Sequence, residues 1–257
     1  MKDRDNKKLR GHYNDVWAKG AENYYTFSSY DESYAILDYL KELNGKTVLE
    51  IGCGEGSLAS IIAHAGGKVT AVDYSDEVIK IAKSKYNLKD LIFVCDDYKN
   101  LTDKYDVIVL QGVLEHFDRP FDSLGWIKDN LLAENGFIVN SCPSFINPRG
   151  YVWMTLQLLF DIPMSLSDLH FLCPFDFEEY CEKNRCNLEY KSSNQSWGNG
   201  QGMIVDFNKR LRNALRDANM SNDNVDKLLD WLNKAKEFTV EDDFTGANVI
   251  YRIQPKL

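Results

Sequence analysis

Up to Pro143 the apolar positions switch repeatedly between two periods. Ile36, Leu37, Leu40 and Leu43 recur at helical spacing and stop near Asn44-Gly45. Thr47–Ile51 is an apolar run of strand length. Leu58, Ile61, Ile62 and Ala65 return to the helical period, Gly66-Gly67 ends it, and Val69–Val72 reads as a second strand. A third helix starts behind Ser75, with Asp76 and Glu77 in a first turn where the helix dipole favours acids. Leu91–Cys95 and Asp106–Leu110 give the third and fourth strands. A helix around Asp122–Leu132 then leads through Gly136 to a fifth strand, Phe137–Ser141. Strands alternating with helices predict a parallel sheet covered on both faces.

Beyond Pro143 the pattern changes. Residues 144–175 are aromatic and apolar, carry three prolines, and read as a lid or pocket wall around Phe145, Trp153, Met154 and Phe171. Phe175–Asn184 has a helical pattern and Leu188–Ser192 a strand pattern. Ile204, Phe207, Leu211, Leu215 and Ala218 mark one amphipathic helix, and Val225, Leu228, Leu229 and Leu232 another. Asn248–Ile253 closes the chain as a strand. The expectation is a single α/β domain over residues 1–257, with an N-terminal cap at about 1–44 and a lid at about 144–175. A helical insertion at about 198–240 precedes the last strand; its helix pair is a lid or a homodimer surface, alternatives that stay open here. The length accommodates one large domain with such an insertion.

Composition narrows the partners. The net charge is −9, and Lys and Arg are interspersed with acids. That excludes the clustered basic surface a phosphate backbone requires, so no nucleic acid is expected; Lys7, Lys8 and Arg10 read as a solvated helix start. No apolar run approaches the ~20 residues of a membrane span, and Tyr151–Phe160 is interrupted by Thr155 and Gln157. The charged N-terminus lacks a signal-peptide core. The six cysteines form no C-x-x-C pair, which argues against zinc and for reduced thiols in a cytoplasmic protein.

The segment Glu50-Ile51-Gly52-Cys53-Gly54-Glu55-Gly56 joins the first strand to the next helix. Glycines there let backbone amides approach a ligand, and an α/β sheet binds ligands outside the carboxyl ends of its strands. The dinucleotide pattern G-x-G-x-x-G would need glycine where Ser57 stands. Glu50 and Glu55 also suit an ammonium and a sulfonium better than a pyrophosphate. Asp73 ends the second strand, where an acid can accept hydrogen bonds from both hydroxyls of a ribose.

With Val48–Gly56, Val69–Ser75, Phe93–Asp97 and Tyr105–His116 in this order and spacing, the chain resembles the class I S-adenosylmethionine-dependent methyltransferases over roughly residues 30–145. The resemblance implies a Rossmann-like, doubly wound, seven-stranded, mostly parallel sheet, and S-adenosylmethionine as cofactor with S-adenosylhomocysteine as product. By the same resemblance, Gly52, Gly54 and Gly56 line the methionine part and Glu50 reaches its amino group. Asp73 holds the ribose with Tyr74 against the adenine, Asp96 takes the adenine amino group with Asp97 beside it, and Gln111 lies under the methionine. A leading helix closing over the cofactor makes Tyr13 and Trp17 candidates; packing of that helix explains them equally well.

Methyl transfer to a hydroxyl needs a base near the acceptor. His116, in Glu115-His116 just past the fourth strand, is the first choice, and His170 in the lid the second. These segments resemble the subgroup of ubiquinone-biosynthesis O-methyltransferases and sugar methyltransferases. The ubiquinone enzymes carry a metal-binding E-x-x-E-H whose first acid falls here on Gly112, so no metal is expected. The amino-methylation motif Asn/Asp-Pro-Pro-Tyr is replaced by Gln111-Gly112. The expected reaction is O-methylation of a small molecule, such as a sugar or a sugar conjugate of surface polysaccharide. The alternatives are N-methylation of a small amine or amino sugar, a non-catalytic cofactor-binding partner subunit, and a nicotinamide dehydrogenase.

Overall fold

The structure is a computed structural model and describes residues 30–162, 164, 170–240 and 242–256. Seven strands form one sheet: β1 (Thr47–Ile51), β2 (Lys68–Asp73), β3 (Leu91–Cys95), β4 (Tyr105–Gln111), β5 (Leu132–Pro143), β6 (Cys186–Ser193) and β7 (Asn248–Pro255). Their order is β3-β2-β1-β4-β5-β7-β6. The first five run parallel, and β7 lies antiparallel between β5 and β6. The order reverses between β1 and β4, which opens the crevice where such sheets bind ligands.

Helices α1 (Tyr30–Leu40), α2 (Ser57–His64) and α3 (Asp76–Lys85) cover one face. Ile36, Leu40, Leu58, Ile62, Val78 and Ile79 pack there against Val48, Val69, Val107 and Val109. Helices α4 (Pro120–Leu131) and α6 (Pro174–Lys183) cover the other, where Leu124, Ile127 and Phe177 meet Leu49, Ile108, Leu110 and Tyr251. Because both faces are covered, the central strands are continuous apolar runs rather than alternating ones. Ser75 caps α3 as its sequence predicts, its hydroxyl accepting from the Val78 amide at 3.4 Å.

Two boundaries differ from the sequence reading. β5 begins at Leu132, which pairs with Tyr105; the register then shifts, and pairing resumes at Val107–Phe137. Asn135, with φ +65°, lies inside that irregularity, so the turn-forming residues that marked a break form a bulge instead. The insertion opens at α7 (Gln195–Asn199), directly after β6, and continues through α8 (Gln201–Asp206), a π-helical turn (Phe207–Leu211), α9 (Arg212–Asp217) and α10 (Val225–Ala235).

The lid and the insertion, separate in sequence, share one core. Helix α5 (Pro148–Phe160) brings Trp153 against Met203, Phe207, Leu211, Val225 and Leu232. At its centre Asp206 is fully buried. One carboxylate oxygen lies 3.7 Å from Arg149 Nη1 and accepts from Trp153 Nε1 at 3.3 Å, while the other accepts from Arg210 Nη1 at 3.3 Å. All six cysteines are free thiols, and Cys95 alone among them is exposed. Among the described residues, no helix is long and apolar enough to cross a membrane.

Candidate active site

The carboxyl ends of β1, β2 and β4 meet at the glycine loop. The loop leaves β1 through Gly52, whose amide donates to the Val72 carbonyl at 2.8 Å, and turns back where the Gly56 amide donates to the Cys53 carbonyl at 2.9 Å. Gly52, Gly54 and Gly56 have φ of +70°, +52° and +84°. A Cβ on Gly52 would stand 2.5 Å from Val113 Cγ2, and one on Gly56 2.5 Å from Phe93 Cζ. The loop is therefore specific for glycine by conformation and, at these two positions, by space.

Glu50, near the end of β1, is buried. Burial pushes its carboxyl up to about 8, against the pull of a hydrogen bond from the Ala59 amide in the first turn of α2. Its Oε2 has no hydrogen-bond partner among the described residues. A buried carboxyl with one oxygen unused fits a ligand that brings an ammonium group. Glu55 does not share this role: it points outward, bonded to Lys85 and to the Ser57 hydroxyl. The acidity of the loop toward a ligand thus rests on Glu50 alone.

Asp73 ends β2 and organises the loop as well as facing it. One oxygen accepts from the Gly54 amide at 3.1 Å and the other from the Ser75 amide at 2.8 Å. Burial raises its pKa, and these amides, with that of Tyr74, pull it back. At the end of β3, the Asp96 amide donates to the Asp73 carbonyl. Asp96 accepts from the Asp97 amide and from Asn100 Nδ2, both at 2.7 Å. Asp97 caps a short 3-10 turn through the Lys99 amide at 3.0 Å. Asp97 therefore has a local structural task, and one oxygen of Asp96 is likewise engaged within its own turn. Tyr13 and Trp17 lie outside the described residues.

Gln111 ends β4 with both ends of its amide held by the first turn of α1. The Ser33 hydroxyl donates to Oε1 at 3.1 Å, and Nε2 donates to Glu32 Oε2 at 3.3 Å. Glu32 was not among the residues singled out from sequence. It follows Asp31 directly at the start of a helical pattern, and nothing local marks it as the acid that faces inward. After Gly112 the chain enters a 3-10 turn, Leu114–His116, that buries Glu115 and leaves His116 half-buried. The His170 amide donates to the Glu115 carbonyl at 3.3 Å, and His170 Nε2 lies 3.2 Å from the Asp118 carbonyl. The segment of His170 thus contacts the Glu115-His116 turn, bringing together the stretches that hold the two expected histidines.

A family model described as a methyltransferase domain matches residues 28–180. The chain belongs to that methyltransferase family. Its fold is that of the class I S-adenosylmethionine-dependent enzymes, and the glycine cradle, the unused Glu50 oxygen and Asp73 fit that cofactor. The ubiquinone biosynthesis O-methyltransferase of Hydrogenovibrio crunogenus is 32% identical over 129 residues, covering 46% of this methyltransferase and 47% of that protein. The mitochondrial one of Schizosaccharomyces pombe is 34% identical over 119 residues, covering 41% and 43%. The match thus spans somewhat less than half the length of these curated relatives. A chain of the complex between the Haloferax volcanii Trm112 methyltransferase activator and a methyltransferase aligns with a TM-score of 0.62 at 15% identity, covering 99% of this chain and 100% of that one. The plantazolicin methyltransferase BpumL, in complex with a desmethylPZN analog and SAH, aligns at 0.52 with 18% identity, covering 98% and 91%. At these identities the likeness is one of fold.

Proposed function

We infer that this methyltransferase carries a methyl group from S-adenosylmethionine to a hydroxyl of a small molecule, with a sugar or sugar conjugate as the acceptor class. What supports this reading is the contact between the segment of His170 and the turn after β4, where the His170 amide donates to the carbonyl of Glu115, the residue before His116. The net charge of −9 fits a small acceptor better than a nucleic acid. The curated relatives at 32–34% identity are O-methyltransferases, which supports oxygen as the atom methylated.

When bound, the sulfonium cofactor supplies an activated methyl carbon, so the protein's work is alignment, exclusion of water and removal of one proton. His116 would take the proton that the acceptor hydroxyl gives up when the methyl group passes from sulfur to its oxygen and the cofactor is left as the neutral thioether. His170, bonded to the Asp118 carbonyl, holds the lid on that turn and is a positioning residue. Phe145 and Phe171, whose rings meet edge to face at 5.0 Å, pack in the core beneath this segment and support it.

Transfer of tritiated methyl from the cofactor to a panel of sugars, amino sugars and phenols tests the reading. His116→Ala should lower kcat by about 10²–10⁴-fold, the range for loss of a general base, while affinity for S-adenosylhomocysteine stays unchanged. An undiminished rate on every accepted hydroxyl would remove His116 from the chemistry. A panel in which amines alone are methylated would replace O- by N-methylation.

A further inference from the structure

Glu32 is a carboxylate buried at the carboxyl edge of the sheet, 5% exposed, on the first turn of α1. Its Oε1 accepts from Asn248 Nδ2 at 2.9 Å, at the start of β7, and its Oε2 from Gln111 Nε2 at 3.3 Å, at the end of β4. Among the described residues no Lys or Arg pairs with it, and its hydrogen-bond partners are neutral. Burial raises its pKa, partly offset by Ser141, Gln111 and Asn248. Burying a carboxylate without a cation is costly, and neutral hydrogen-bond donors offset that cost only in part. A positive partner that arrives from outside would favour the ionised form of this carboxyl.

The order of groups along the sheet edge says where that partner lies. The cofactor reading sets the ribose at Asp73 on β2 and the amino group at Glu50 on β1. On the amino-group side of that ligand the next strand is β4, at whose end Gln111 stands. Glu32 lies directly behind the Gln111 amide. Adjacent strands are about 4.8 Å apart, so a charge one side chain beyond β4 would still be felt by a positive group seated over β1.

We propose that Glu32 is a positioning residue that orients Gln111 and, through its negative charge, makes the crevice favour the sulfonium of S-adenosylmethionine over the neutral thioether of S-adenosylhomocysteine. The inference rests on the cofactor assignment above. It gives the enzyme a means of releasing product: once the methyl group leaves, the positive charge opposite Glu32 is gone, and the attraction with it.

Calorimetric titration of the full chain with each of the two ligands tests this without any acceptor. In Glu32→Gln the preference for S-adenosylmethionine relative to S-adenosylhomocysteine should fall by about fivefold or more against wild type, the scale of a unit charge acting at this range. Glu32→Asp, which keeps the charge, should restore most of the preference. Asp73→Ala should weaken both ligands alike. If Glu32→Gln does not fold, Glu32→Ser removes the same charge and takes the same measurement. Equal weakening of both ligands on loss of the charge, or no change, would overturn the proposal and leave Glu32 as an anchor for α1. Wild-type protein that binds neither ligand would instead bring down the cofactor assignment, and this proposal with it.

Discussion

Glu50→Gln should make the ligand-free protein more stable and the cofactor complex weaker. The Glu50 carboxyl is raised by burial from an ordinary 4.5 to about 8. Between those two values the folded state holds a proton that the unfolded state has released, so stability falls as pH rises through that window. At pH 7 the window has been crossed for about 2.5 pH units, and at about 1.4 kcal/mol per unit the burden is about 3 kcal/mol. Glutamine is isosteric, keeps an acceptor for the Ala59 amide and carries no such burden. Urea denaturation of ligand-free protein at pH 7 should therefore show a gain of about 3 kcal/mol for the variant, and at pH 5 a gain below about 1 kcal/mol. Calorimetry should show the opposite sign for the ligand: affinity for S-adenosylhomocysteine should fall more than about tenfold, the scale for losing a charge-assisted hydrogen bond. An equal gain at both pH values would refute the electrostatic reasoning. Stabilisation with undiminished ligand affinity would show that Glu50 does not face the cofactor.

Two further perturbations address the cradle and the lid. In Gly56→Ala a Cβ would stand 2.5 Å from Phe93 at a φ of +84°; the left-handed backbone alone costs about 1–2 kcal/mol, and displacement of Phe93 should distort the loop. Thermal melting should show that loss, and calorimetry a weaker S-adenosylhomocysteine; unchanged values in both would mean that the loop tolerates side chains. In Asp206→Ala the buried Arg149 guanidinium loses its carboxylate, a change that typically costs about 3–5 kcal/mol. Chemical denaturation should show this loss and limited proteolysis should cut first within the insertion; a change below about 1 kcal/mol would mean that Arg149 is compensated by other groups.

The sequence by itself determined the parallel half of the sheet, the glycine loop and the acid at the end of β2. These features are local: a buried strand is an apolar run, a helix an apolar period, and a left-handed turn a glycine, each legible within a few residues. The loop also carried the distinction from a dinucleotide site, because Ser57 stands where the pattern needs glycine. Only the tertiary structure separated Glu50, turned inward with an unused oxygen, from Glu55, paired with Lys85. The two acids are five residues apart, one at the end of β1 and one in the loop that follows, and their burial depends on what packs above them. Only the tertiary structure joined the lid to the insertion, because the Arg149–Asp206–Arg210 cluster spans residues that no periodicity links. Glu32 makes the point most sharply. Its role comes from contacts with Gln111 and Asn248, 79 and 216 positions away, and a group whose chemistry is set by distant partners leaves no trace in the residues beside it.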